Sequence, residues 1–164
     1  MSRAELRHGS LRDLAALLPL WSRAHAWHVE HHPAYFAPLD DDQAVRVLRR
    51  DLVGIVEDPQ QLLLVAPDPE GGPLVGFAHA RLHPTPPLPE LKAELRCELV
   101  QLAVRADRRR VGHGTRLLDG VRAWGRRSGA SELVLTVWDG NRIAERFYRA
   151  HGLAPLHRVL ATAL

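Results

Sequence analysis

The chain has one cysteine, one lysine and no long apolar run, and each scarcity narrows what it does. With Cys97 alone, no disulfide forms within the chain, and a reducing cytoplasm is the expected compartment. No uninterrupted stretch of about 18 apolar residues exists, so no transmembrane helix is expected and no membrane partner. Met1-Ser2-Arg3-Ala4-Glu5 leads into no hydrophobic region, so no secretory leader is expected. Lys92 is the only lysine, and 22 basic residues face 19 acidic ones for a net charge of +3. That near balance, without a DNA- or RNA-binding motif, argues against a nucleic-acid partner.

What remains is ordinary globular material. An apolar share of 46% and a charged share of 25% suit a packed core under a polar surface. The length of 164 residues fits one domain, taken as 1–164.

The most informative stretch is residues 98–152. The apolar run Leu99-Val100-Gln101-Leu102-Ala103-Val104 reads as a strand, Arg109-Arg110-Val111-Gly112-His113-Gly114 as a turn, and residues 115–128 as a helix. Glycine has no Cβ to keep a ligand from the backbone N–H groups. The first turn of a helix adds N–H groups without intrahelical partners and the positive end of the macrodipole. The combination is an anion site, most naturally for phosphate, and the arginines add charge. A Walker loop is absent. A dinucleotide fingerprint fails because Leu117 stands three residues after Gly114.

The pattern that fits is R-x-x-G-x-G, formed by Arg109, Gly112 and Gly114. It resembles the pyrophosphate loop of the GNAT N-acetyltransferase superfamily. A second strand, Glu132-Leu133-Val134-Leu135-Thr136-Val137-Trp138, follows, and then Asn141, Ala144, Phe147, Tyr148 and Gly152 in the family's order. Leu153 stands where the family often has phenylalanine. The likeness is specific over residues 98–153.

Earlier, residues 5–8 read as a short strand, and Ser10 to Asp13 has capping-box spacing ahead of a helix carrying Leu11, Leu14, Leu18 and Trp21 on one face. The segment 25–42 is rich in histidine and aromatics. His28 and His32, four apart, would share a helix face, but HExxH is absent and no metal is expected. The resemblance implies that this segment borders the acceptor site, so its aromatics either pack in the core or shape a substrate pocket. Asp40-Asp41-Asp42 marks a helix start, with Val45, Leu48 and Leu52 as the buried stripe; the other reading is a negative rim for an amine. Residues 61–66 and 74–82 form a hairpin around a Pro- and Gly-rich turn, and the proline-rich stretch 83–89 is a stiff surface connection. Basic residues 105–110 are assigned to the phosphate loop. Beyond it, Leu117, Val121 and Trp124 form a buried stripe, as do Ile143 and Phe147 in the last helix. Residues 156–162 read as a closing strand.

The alternation of strands and helices around a hairpin argues an α/β (α+β) class with a mixed sheet covered on both faces. The resemblance implies the acetyltransferase fold: six to seven strands, about four helices and two splayed central strands.

It also implies acetyl-CoA as acyl donor and transfer to a primary amine by direct attack in a ternary complex. Cofactor contacts carry over to Leu102, Ala103, Val104, Arg109, Arg110, Val111, Gly112, His113, Gly114, Thr115, Asn141, Ala144, Phe147 and Tyr148. Two residues receive chemical roles. Glu98 sits inside an apolar strand, where a carboxylate is costly unless paired or employed; some family members carry the general base at this position. Tyr148 matches the tyrosine placed beside the departing sulfur as general acid. The base is either Glu98 or a water. Cys97 reads as a buried small residue, since the family transfers directly. The family includes homodimers. The rivals are a non-catalytic CoA-binding module and a basic nucleic-acid binder.

Overall fold

The computed structural model describes residues 5–85, 90, 92 and 94–162. The strands are β1 (Arg7–His8), β2 (Gln61–Ala66), β3 (Gly76–Pro84), β4 (Leu95–Val104) and β5 (Glu132–Leu135). The helices are α1 (Leu14–His31), α2 (Asp41–Glu57), α3 (His113–Arg127) and α4 (Arg142–Ala150), with short 3-10 turns at Leu11–Asp13 and Ala106–Arg108.

The five strands lie in the order β1-β2-β3-β4-β5. Neighbours are antiparallel until the last pair, β4 and β5, which run parallel. That switch follows from connectivity. A hairpin connection joins β2 to its antiparallel neighbour β3, whereas α3 is the crossover that a parallel neighbour requires.

Side-chain alternation divides the sheet into two faces. Leu62, Leu64, Ala78, Ala80, Cys97 and Leu99 face α3, which inserts Leu117, Leu118 and Val121. Leu63, Val65 and Phe77 face α1 and α2, which contribute Leu17, Leu20, Leu48 and Leu52. Two glycines permit close approaches, one between helix and sheet and one between neighbouring strands. A Cβ on Gly125 of α3 would lie 2.9 Å from Cys97 Cβ, and one on Gly76 would lie 2.6 Å from the Ala103 carbonyl oxygen.

The helix starts match their sequence signals. Asp40 Oδ1 accepts the Gln43 backbone N–H at 2.8 Å and Gln43 Oε1 accepts that of Asp40 at 3.0 Å, a reciprocal cap. Asp13 Oδ2 likewise accepts the Ser10 N–H at 2.9 Å, and its carboxylate also binds the Arg7 guanidinium at 2.6 Å.

Several expectations are corrected. Among the described residues the sheet has five strands, not six to seven. Residues 153–162 form neither strand nor helix; Leu156, Val159 and Leu160 are exposed, Leu160 at 91%. Their strand-like pattern expresses fitness for a half-buried surface, and it forms a strand only where a neighbour supplies a ladder. β5 ends at Leu135, three residues short of Trp138. In α2 the buried stripe is Ala44, Leu48 and Leu52, while Val45 is exposed. Ile143, placed beside Phe147 on a buried face, is 75% exposed because the first turn of α4 projects to solvent. His83 and Pro84 complete β3 rather than beginning the surface connection, of which residues 86–89 lie outside the described residues.

Candidate active site

β4 is the spine of the site. It pairs with β3 along its whole length, but its register with β5 stops at Leu99↔Leu135. The β3 register shifts between His79 and Ala80, leaving Val100 as the extra residue of a bulge. A bulge bends its strand and raises the local twist. The two parallel strands therefore part at the bulge, and beyond it alternate residues of 100–104 turn backbone groups toward the open side. Leu102, Ala103 and Val104, all half-buried, lie on this stretch.

Arg105 N donates to Val75 O at 2.8 Å, the last tie before the chain leaves the sheet. After the turn Ala106–Arg108, Arg109 Nε reaches back to Val104 O at 3.1 Å and fixes the loop to the strand end. Arg110 is left-handed at φ 62, and Gly112, the N-cap of α3, at φ 91. Left-handed residues in a turn gather successive N–H groups into one concavity that suits an anion. The first-turn amides of Gly114 and Thr115 point the same way, as a helix start dictates. The two glycines differ in reason. A Cβ on Gly112 would meet no atom within 4 Å, so backbone conformation selects it; one on Gly114 would lie 3.3 Å from Phe147 Cζ, so packing does.

The basic run needs a correction. Arg105 and Arg108 do not serve the loop: both reach Asp68 Oδ2, at 3.0 and 3.3 Å, and Arg108 also binds Glu70 at 2.6 Å. The Asp68 side chain is only 2% exposed, and its carboxyl is held below the usual range by the Glu70 N–H and then the arginines. These pairs clamp the β2–β3 connection to the end of β4. Arg109 and Arg110 remain beside the loop.

Glu98 projects from β4 on the α1/α2 face, opposite Arg81. Its Oε2 accepts from Arg81 Nε at 2.6 Å and lies 3.8 Å from His83 Nε2. The carboxylate inside the apolar strand is thus paired, and it is 22% exposed. Arg81 and His83 were missed by motif reading. Their signal was present in the alternation Phe77, His79, Arg81, His83, which places three polar side chains on one face.

Cys97 points to the opposite face, against Gly125, and burial pushes its thiol up to about 11. It is a packed thiol, as expected from the sequence.

α4 carries Asn141, Ala144, Phe147 and Tyr148. Asn141 Oδ1 caps the helix by accepting Ala144 N at 3.1 Å, leaving the amide NH2 as donor. Phe147 and Tyr148 pack against the α3-side core. Burial pushes the Tyr148 phenol up to about 12, so it is an O–H donor at neutral pH. His151 ties the helix to α3: its Nδ1 donates to Phe147 O at 2.7 Å, and its Nε2 accepts the Thr115 hydroxyl at 3.0 Å. The Thr115 hydroxyl is thereby engaged within the protein.

The His- and aromatic-rich segment that follows α1 meets the turn that follows β5. Phe36, His32 and Tyr35 all contact the Trp138 ring, at centroid distances of 4.9, 4.9 and 5.4 Å, and His32 Nε2 donates to Asp139 O at 3.0 Å. Burial, then neighbouring histidines, lowers the pKa of His28. Among the described residues no group of three or more His, Cys, Asp and Glu is placed to hold a metal ion, and no helix is long and apolar enough to cross a membrane.

The acetyltransferase (GNAT) family model matches residues 17–153, so the chain belongs to that family. No match was found among curated protein sequences. A tetramutant of the BH1408 protein from Bacillus halodurans has a similar structure, at 21% identity and a TM-score of 0.85, over 98% of this chain and 99% of that one. The aminoglycoside N-acetyltransferase AAC(6')-Iy in complex with CoA matches at 19% identity and 0.75, covering 98% and 93%. The same enzyme with the bisubstrate analog CoA-S-monomethyl-acetylneamine also matches at 19% and 0.75, covering 99% of each chain. At these identities the likeness establishes the α/β acetyltransferase fold.

Proposed function

We propose that the chain is an N-acetyltransferase that moves the acetyl group of acetyl-CoA to a primary amine by direct attack in a ternary complex. The observation that carries this reading is the parting of β4 and β5 after Leu99 and Leu135, directly upstream of a left-handed loop and a helix N-terminus. An open strand edge accepts an amide-bearing arm as an added strand would, and the loop accepts a diphosphate. The residues fit CoA on one further point: the space above Gly112 is open, so a phosphate can approach its backbone.

In this assignment Val111, Gly112, His113, Gly114 and Thr115 hold the pyrophosphate with backbone N–H groups, and Arg109 and Arg110 add charge. Leu102, Ala103 and Val104 hold the pantetheine arm through backbone groups, with the Asn141 NH2 opposite. Ala144, Phe147 and Tyr148 wall the gap. Bound acetyl-CoA supplies the activated thioester carbonyl. An alkyl ammonium, with pKa about 10, must lose a proton before attack. Glu98 takes it, directly or through water; Arg81 holds Oε2, and Oε1 is assigned to the proton. A backbone N–H of residues 102–104 stabilises charge on the acyl oxygen. Tyr148 donates to the departing sulfur.

The test is thiol release from acetyl-CoA against a panel of amines, with a no-amine control. Release that depends on an amine supports the transferase. Silence across the panel, with acetyl-CoA affinity intact, supports a CoA-binding module instead.

A further inference from the structure

A cavity of about 310 Å³ opens on the α1/α2 face of the sheet, roofed by Trp21 of α1 and Leu48, Leu52 and Ile55 of α2. Leu63 and Phe77 line its inner end, and His79, Val100 and Gln101 its floor. That floor is the β4 bulge, where β4 leaves β5. His79 pairs with Gln101, and Arg81 with Glu98 in the next row on the same face. Two residues of strand separate these rows, about 7 Å. The cavity thus ends one row from the carboxylate assigned as base.

The lining has a definite chemistry. Asp51 is its one acidic residue, and the Arg50 guanidinium holds that carboxylate at 2.8 Å. His79 is held neutral: its Nε2 donates to Gln61 Oε1 at 2.8 Å, and Gln61 Nε2 donates to Asp58 at 3.0 Å, which fixes the amide and hence the tautomer. Burial pushes the imidazole down to about 4. One row beyond the cavity, Arg81 and Glu98 pair at 2.6 Å. The Trp21 wall is braced by a stack on His25 at 5.3 Å, and His25 Nε2 bonds Ala37 O at 2.9 Å.

From this we infer that the acceptor is a monoamine on a compact apolar or aromatic body, seated in this cavity with its amine at the Glu98 row. The inference rests on the acetyltransferase reading and narrows its substrate class. Apolar walls reward the burial of a hydrocarbon or ring, and the single carboxylate in the row beside the cavity, Glu98, serves one amine. A polyhydroxylated polycation would press further ammonium and hydroxyl groups against walls that offer them few partners. An aromatic ring in the cavity, with its amine on a tether of two or three carbons, spans about one strand row.

The experiment measures kcat/KM for thiol release with 2-phenylethylamine, tryptamine, neamine and spermidine. The expected result favours the two arylalkylamines at least tenfold over neamine and spermidine. Equal or better turnover of neamine or spermidine overturns the inference while leaving the transferase standing. Thiol release with none of them, while acetyl-CoA binds, overturns the transferase reading and the inference together. A variant gives the second arm. Gly54 lines the cavity from α2, and a Cβ there meets no atom within 4 Å. Gly54→Phe replaces a helical glycine by a better helix former and places a ring at the cavity mouth. It should raise KM for 2-phenylethylamine at least tenfold, with acetyl-CoA affinity and melting temperature retained. An unchanged KM in that folded, acetyl-CoA-binding variant overturns the assignment of the cavity.

Discussion

Gly112→Ala isolates what the phosphate loop demands of its backbone. Gly112 sits at φ 91 and ψ 0, and an added Cβ meets no atom within 4 Å. Steric overlap therefore contributes nothing, and the whole effect is conformational. A left-handed L-residue costs about 1–2 kcal/mol. That cost appears in one of two places. If the loop keeps its shape, the native state carries the strain, and the melting temperature falls by about 2–8 °C for a chain of this size while acetyl-CoA affinity holds. If the loop relaxes to negative φ, stability is retained, and binding must restore the strained shape. Affinity then falls roughly 5- to 30-fold, since 1.4 kcal/mol is a factor of ten. Thermal melts with and without acetyl-CoA, beside calorimetric titration, read both quantities, and their sum should be about 1–2 kcal/mol. Wild-type values of both would refute the claim that the left-handed N-cap of α3 requires glycine.

Further outcomes follow from the same geometry. Tyr148→Phe should lower kcat about a hundredfold with acetyl-CoA affinity kept, because it removes the proton donor and leaves the packed ring; unchanged kcat would withdraw its role. Glu98→Gln should lower turnover at least tenfold with acetyl-CoA affinity kept, and unchanged turnover would return the base to water. Among glycine-to-alanine changes, urea melts should rank Gly76 as most destabilising, Gly125 next and Gly54 as stabilising by about 1 kcal/mol. The neighbours differ in what they can yield: a backbone carbonyl at 2.6 Å, a cysteine side chain at 2.9 Å and open space. Cys97 and Tyr148 are pushed up to about 11 and 12 by burial, so the unfolded chain ionises them first. Both favour the fold below their ordinary values, and stability should fall as pH rises past about 9. Cys97→Ala should flatten the start of that fall in melts between about pH 8 and 11, and an unaltered slope would contradict the burial argument.

The sequence by itself determined the local elements whose causes are local. Asp40 and Gln43 announce the start of α2 because the cap is made within four residues. The glycines and arginines of residues 109–114 announced the loop, because left-handed turns and helix starts are short-range geometry. Short apolar runs placed the central strands. The same local patterns misled where burial depends on a distant neighbour. Residues 156–162 read as a closing strand yet pair with nothing described, and Ile143 keeps helical phase with Phe147 yet faces solvent. A periodicity states which side chains share a face, and only the packed neighbours decide whether that face is covered. The assignment of Arg105 and Arg108 failed for the same reason, since Asp68 lies nearly forty residues earlier in the chain. Tertiary structure alone set the point where β4 leaves β5, the bulge at Val100, the pairing of Arg81 with Glu98 and the cavity beside them. Each arises where segments far apart in sequence meet, and no spacing within one segment encodes that meeting.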